Sequence, residues 1–163
     1  LTGGEPTLQS DLAAFIEKVR SLGYDVKLDT NGYRPKVLEI LLDKGLLDYV
    51  AMDVKAPPDR YAELAGLTGL EIARIERSLR LLHESGITYE LRTTVVPQLL
   101  NSDDIEAIAR WVAGAERYVL QQFRRGETLD PALVDVIPYP PDRLKQMAQI
   151  AQDYVKTVSL RGI

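Results

Sequence analysis

The chain has 163 residues and a formal net charge of −4, with 45% hydrophobic and 27% charged residues. This length can bury a real hydrophobic core, and the interspersed acidic and basic residues argue against a general nucleic-acid-binding surface. The lack of cysteine excludes disulfides, thiolate zinc sites and cysteine-held clusters within these residues, and no apolar run could cross a bilayer, so we expect a cytoplasmic protein without membrane partners.

Three successive stretches follow one plan, in which an amphipathic helix ends at a glycine and a strand follows. The predicted helices begin at residues 10, 35 and 70, the glycines are Gly23, Gly45 and Gly86, and the predicted strands cover residues 24–29, 48–53 and 87–96. Glycine just past a helix suits the left-handed cap position. The later elements are a helix from Asn101 or Ser102 to Val112, strand 117–123, a turn-rich segment, helix 141–154 and strand 155–160.

Alternation of helices and strands predicts an α/β fold built from βα units around a parallel sheet. The strands are apolar nearly throughout, which is typical of a sheet covered on both faces. An open doubly wound sheet and a (β/α) barrel both fit this pattern. Because the sequence contains no Gly-x-Gly-x-x-Gly fingerprint, the dinucleotide-binding version of the open sheet is disfavoured.

Polar residues gather where the predicted strands end. In chain order they are Glu5, Asp29, Thr30, Asn31, Asp53, Lys55, Arg92, Thr94, Gln121 and Gln122. The carboxyl ends of parallel strands meet at one edge of the sheet, and ligands bind at that edge. Carboxylates, an ammonium, a guanidinium and amides together can hold both ends of a zwitterion, so we expect a ligand that carries an amino-acid group.

Five segments of the chain resemble one family of enzymes. Residues 3–7, Gly-Gly-Glu-Pro-Thr, resemble the Gly-Gly-Glu motif of radical S-adenosylmethionine (SAM) enzymes. The segments that resemble the third- to sixth-strand motifs of glycyl-radical-enzyme activases are residues 28–33, 51–57, 89–97 and 118–123. The resemblance implies a partial (β/α)6 TIM-like barrel of the radical SAM type. We expect one domain over residues 1–163 that lacks its first strand and is cut from a larger domain.

The resemblance also implies roles for the residues at the first strand ends. Gly3, Gly4 and Glu5 would hold the ammonium group of SAM. Asp29, Thr30 and Asp53 would lie near its carboxylate, where some activases also place a monovalent cation. Asn31 belongs to the same third-strand motif and is expected at the cofactor.

Later strand ends would complete the cofactor site. Lys55 and Arg92 would contact SAM or orient it, while Gln121 and Gln122 would meet the adenosine or the incoming glycyl loop. Alternatives remain for Lys55, which could form an ion pair of small energetic worth with Asp53.

The family holds a [4Fe–4S] cluster on a Cys-x3-Cys-x2-Cys loop, which this chain lacks. In the family, the reduced cluster cleaves SAM, and the resulting 5′-deoxyadenosyl radical abstracts a hydrogen atom from a glycine of the partner enzyme. We therefore expect the chain alone to be inactive. The resemblance implies that the full-length parent activates an anaerobic ribonucleotide reductase or a pyruvate formate-lyase, with a flavodoxin- or ferredoxin-like reductant.

Two other functions stay open at this point. One is a radical SAM reaction on a small molecule, of the 7-carboxy-7-deazaguanine synthase type. The other is a non-catalytic, SAM-binding barrel remnant. At the end of the sixth-strand segment, Arg124 and Arg125 are interpreted either as a solvated pair or as a docking contact for an acidic partner surface.

Overall fold

A computed structural model describes residues 1–66, 68–126, 128 and 130–163. In these residues, helices and strands alternate along most of the chain. The strands are β1 (Lys27–Thr30), β2 (Tyr49–Asp53), β3 (Thr88–Val95), β4 (Tyr118–Gln122) and β5 (Val158–Arg161). The α-helices are α1 (Leu12–Ser21), α2 (Pro35–Asp43), α3 (Tyr61–Leu64), α4 (Ile72–Glu84), α5 (Ser102–Trp111) and α6 (Pro141–Ala151).

The strands follow the order β1-β2-β3-β4-β5 in the sheet. The chain divides into two compact units, and β3 contributes to both of them. Unit 1 comprises Leu1–Asp53 and Gly69–Leu91, and unit 2 comprises Val54–Thr68 and Arg92–Ile163. The expectation of a single domain over residues 1–163 remains a prediction.

In unit 1, β1 and β2 run parallel, with Leu28 beside Val50 and Thr30 beside Met52. All four of these side chains are buried, and Leu28, Val50 and Met52 have no exposed surface. The backbone of Leu1 lies along β1, because its nitrogen donates to Lys27 O and its carbonyl accepts from Asp29 N. Helices α2 and α4 pack against each other in this unit.

In unit 2, β4 and β5 run parallel, and α6 packs against α5 and β5. Helix α5 begins with a capping box, in which the Asn101 side chain accepts from Asp104 N and the Asp104 side chain accepts from Asn101 N. The buried Asp104 carboxylate also accepts a hydrogen bond from Arg60 Nη1 at 2.7 Å. These contacts make Asn101 the N-cap of α5, one of the two caps that the sequence allows.

The predicted alternation of helix, glycine and strand is confirmed, and Gly23, Gly45 and Gly86 have φ angles of +85°, +61° and +69°. Three predicted boundaries were wrong by three residues. The first strand begins at Lys27 rather than at residue 24, because residues 23–25 remain exposed. The last helix ends at Ala151 rather than at residue 154, and the last strand begins at Val158 rather than at residue 155. Among the described residues, no helix is long and apolar enough to cross a membrane.

Candidate functional site

Glu5 joins the Gly-Gly-Glu loop to the end of β1. Its Oε1 atom accepts hydrogen bonds from Thr7 N at 3.1 Å, from the Thr7 hydroxyl and from Thr30 Oγ1 at 2.8 Å. Its Oε2 atom accepts from Asn31 N at 2.7 Å. Four donors therefore hold both oxygens of one carboxylate, and the loop that contains it is fastened to the strand end.

The turn after β1 is held from several sides. Thr30 Oγ1 accepts from Gly32 N at 3.1 Å, and Asn31 Oδ1 accepts from Tyr33 N at 2.9 Å. From α4, the buried Ser78 hydroxyl donates to Gly32 O at 2.6 Å. The Glu5 loop, the turn itself and α4 all supply hydrogen bonds to residues 31–33, so the Asn31 backbone has little freedom to move.

Gly3 and Gly4 precede Glu5 with φ angles of +100° and +57°, which L side chains rarely adopt. A Cβ atom at either position would meet nothing within 4 Å. The requirement for glycine is therefore conformational rather than steric. Both residues are exposed, so their backbone is open to a ligand.

The carboxylate of Asp29 takes a different direction from the Thr30 hydroxyl. Adjacent residues of a strand project to opposite faces, and Asp29 Oδ1 lies 3.3 Å from Lys27 Nζ. Asp53 is half-buried at the end of β2. No cluster of three or more His, Asp or Glu side chains suited to a metal occurs in the described part of the chain, and the expected monovalent cation at Asp29, Thr30 and Asp53 stays a prediction.

In unit 2, the residues just past β2 are fixed through their backbone. Val54 N donates to Arg92 O at 2.8 Å, and Lys55 N donates to Tyr61 Oη at 3.3 Å. The Lys55 side chain is exposed, whereas the Tyr61 side chain is buried. The backbone of Lys55 is thus ordered while its ammonium remains in solvent.

Gln121 and Gln122 project to opposite faces of β4, as their adjacent positions require. Gln121 donates to Thr94 Oγ1 and accepts from Arg161 Nη1, both at 3.3 Å. Gln122 donates to Tyr139 O at 2.7 Å, and its buried Oε1 has no hydrogen-bond partner among the described residues. The two amides therefore have different surroundings, although the sequence assigned them one role.

The structure adds two residues that the sequence interpretation missed. Arg161 lies at the carboxyl end of β5 beside Gln121, and the rule already applied to the other strand ends would have found it. Ser78 holds the turn after β1 from α4, and no signal in the sequence marks it, because a serine within an amphipathic helix is usually solvated.

The two arginines after β4 are both exposed. Arg125 donates to the carbonyl oxygens of Asp135 and Val136 at 3.2 and 3.3 Å. Its guanidinium group therefore secures the loop that precedes α6. A docking role for Arg124 and Arg125 remains a prediction.

Several known proteins are similar to this chain over much of its length. The family model of the Radical SAM superfamily matches residues 1–112. A candidate glycyl-radical enzyme activating enzyme of Methanocaldococcus jannaschii is 37% identical over 168 residues, an alignment that covers 100% of this chain and 70% of that protein. A 7-carboxy-7-deazaguanine synthase of Thermococcus kodakarensis is 31% identical over 121 residues, which are 74% of this chain and 46% of that protein.

Solved structures establish the fold. A domain of pyruvate-formate lyase-activating enzyme from Bacteroides vulgatus superposes with a TM-score of 0.77 at 17% identity, covering 99% of this chain and 97% of that one. Together with the family match over residues 1–112, this superposition confirms the α/β fold of the radical SAM type. The chain spans 70% of the length of the first M. jannaschii relative and 44% of a second one.

Proposed function

Since this chain belongs to the radical SAM superfamily, we propose that its whole protein is an activating enzyme that generates a radical on a glycyl radical enzyme. The observation that carries the proposal is the attachment of the Gly-Gly-Glu loop to the end of β1 through Glu5. That attachment holds an open backbone at a strand end, where the superfamily binds SAM. The identity to the M. jannaschii relative over the full chain supports the activating type.

In unit 1, the residues present suit the amino-acid part of SAM. The open carbonyl groups of Gly3 and Gly4 accept hydrogen bonds from its ammonium, and Glu5 holds these carbonyls in place and adds negative charge. Asn31, Thr30, Asp29 and Asp53 complete this side of the site in the proposal.

In unit 2, the residues suited to SAM are cations and amides. Lys55 and Arg92 can pair with its carboxylate, because an ammonium and a guanidinium form charge-assisted hydrogen bonds with carboxylate oxygens. Gln121 and Gln122 are assigned to the adenosine or to the incoming glycyl loop. We further propose that the whole protein is cytoplasmic and receives its electron from a flavodoxin- or ferredoxin-like reductant.

The superfamily uses SAM together with a [4Fe–4S] cluster, and the chain holds no cysteine that could bind one. Cluster ligands must therefore come from residues outside this chain. When bound, the reduced cluster supplies the electron that cleaves SAM. The chain's own residues bind the amino acid part, orient it and keep the Gly-Gly-Glu loop in place.

The test uses the whole protein that contains this chain, reconstituted without oxygen with iron and sulfide. We expect dithionite and SAM to yield 5′-deoxyadenosine and methionine, and a G3V/G4V variant to yield neither at more than about a tenth of that rate. Adding anaerobic ribonucleotide reductase or pyruvate formate-lyase should then give a glycyl radical signal in electron paramagnetic resonance. If the protein cleaves SAM but forms a glycyl radical on neither partner enzyme, the activating function is rejected. The assignment of radical SAM chemistry then still stands.

A second candidate is a radical SAM reaction on a small molecule, which the 31% identity to a 7-carboxy-7-deazaguanine synthase favours. One assay distinguishes activation of a glycyl radical enzyme from the small-molecule reaction. Formation of 7-carboxy-7-deazaguanine, with no glycyl radical on anaerobic ribonucleotide reductase or pyruvate formate-lyase, would establish the small-molecule reaction in place of activation.

A further inference from the structure

The backbone of Val54, just past the end of β2, is held on both sides. Val54 N donates to Arg92 O at 2.8 Å, and Val54 O accepts from the Thr93 hydroxyl at 2.6 Å. A carbonyl beyond a strand end is commonly satisfied by water. Here a side chain takes that place, and both residues have no exposed surface.

A second hydroxyl extends this contact. Tyr118 Oη donates to Thr93 Oγ1 at 2.8 Å, so the hydrogen bonds run in one direction, from Tyr118 through Thr93 to Val54 O. Burial raises the pKa of Tyr118, although the hydrogen bond with Thr93 opposes that shift. Tyr118 therefore remains a donor at neutral pH. Buried hydrogen bonds in series strengthen one another.

The next residue is Lys55, whose backbone is held from a third direction. Its N–H donates to the hydroxyl of Tyr61, and the Tyr61 ring meets Trp111 edge-on with 5.9 Å between ring centroids. The Lys55 side chain is exposed. The backbones of Val54 and Lys55 are therefore both fixed. The exposed Lys55 side chain places an ammonium group in solvent just past the end of β2.

We propose that Thr93 and Tyr118 are positioning residues, which set the place of the Lys55 ammonium for the carboxylate of the amino-acid group of the ligand. This inference rests on the proposed function, because it takes that ligand to be SAM. A lysine side chain loses considerable rotamer freedom when it binds an anion. If the Cα atom of Lys55 is already fixed before SAM binds, less conformational entropy is lost on binding. The ammonium group also samples fewer positions.

The test measures the dissociation constant of SAM by equilibrium dialysis with the reconstituted whole protein. We expect T93V to weaken binding about tenfold, Y118F about threefold, and T93S less than twofold, since serine keeps the hydroxyl. Y139F is the control, because it removes the hydroxyl of another tyrosine in unit 2, which is half-buried and donates to Leu100 O at 3.1 Å. It should leave SAM binding unchanged.

A double-mutant cycle separates positioning from a general effect on the fold. We expect K55Q to weaken SAM binding by about tenfold or more, and T93V to add less than twofold in the K55Q background, because its effect acts through Lys55. Equal effects of T93V in both backgrounds, or a folded T93V protein with unchanged affinity, would overturn the inference. If T93V does not fold, Y118F serves in the same cycle. A wild-type protein that does not bind SAM would instead overturn the proposed function, and this inference with it.

Discussion

Gly32 packs so closely against Met52 that a Cβ atom at position 32 would lie 2.2 Å from Met52 Cε and 2.8 Å from its sulfur. Met52 has no exposed surface, so its side chain would have to repack within the core to make room. The same glycine has a φ angle of +72° and accepts the hydrogen bond from Ser78. The turn that presents Asn31 therefore depends on both backbone conformation and packing.

We expect Gly32→Ala to lower the free energy of unfolding by about 2–4 kcal/mol, from overpacking and from the left-handed backbone together. Gly45→Ala is the matched control in unit 1, because its φ angle is +61° and nothing lies within 4 Å of the added Cβ. It should cost about 1 kcal/mol. Urea unfolding of both variants checks the difference, and equal costs would show that Met52 moves aside freely.

Glu5→Gln should destabilise the protein by about 1–3 kcal/mol. Thr7 N–H faces one carboxylate oxygen of Glu5 and Asn31 N–H faces the other. Either orientation of a glutamine amide therefore places its NH2 group against a backbone donor that cannot rotate away.

The control for Glu5→Gln is Glu17→Gln, which alters an exposed carboxylate paired with Lys44 at 3.1 Å. We expect that change to cost less than about 0.5 kcal/mol. Thermal and urea unfolding are the measurements. A Glu5→Gln protein as stable as the wild type would show that the four hydrogen bonds contribute no net stability.

Arg60→Met should cost about 1–3 kcal/mol, because it leaves the Asp104 carboxylate buried without its guanidinium partner. The side chain of Asp104 is only 9% exposed. Arg110→Met removes a pair with Glu106, but the Arg110 side chain is 67% exposed, so its loss should cost much less than the loss of Arg60. Comparable losses for the two variants in urea unfolding would contradict this reasoning.

Asp48 should make stability depend on pH in the acid range. The hydrogen bond from Val26 N–H, followed by the contact with Arg20, lowers the pKa of Asp48 below its ordinary value of 3.8, although partial burial opposes this. Protonation therefore favours the unfolded chain. The contribution is present above about pH 4 and is lost as the pH falls through the lowered pKa of the folded state.

The measurement is urea unfolding of the wild type and Asp48→Asn at pH 6, 5, 4 and 3. Other carboxylates affect both proteins alike, so the difference in their free energies of unfolding isolates Asp48. We expect that difference to shrink on acidification below about pH 4. A constant difference across the series would rule out Asp48 as a source of acid sensitivity.

Much of this protein follows from local patterns in its sequence. Apolar residues at helical spacing, followed by Gly23, Gly45 and Gly86, predict the order of helices and strands, since a left-handed cap and an apolar strand are properties of neighbouring residues. The Gly-Gly-Glu segment likewise indicates the family from consecutive residues. Element ends were less predictable, because exposure at residues 23–25 depends on where the sheet pairs.

The contacts of Glu5 with Thr30 and of Tyr118 with Thr93 required the three-dimensional structure. Each joins residues 25 positions apart, and only strand pairing and register bring such side chains within hydrogen-bond distance. For the same reason the sequence grouped Gln121 with Gln122, although alternation along β4 sends them to opposite faces. Composition and spacing predict which residues lie at a strand end. Tertiary packing determines which of their polar atoms form hydrogen bonds within the protein.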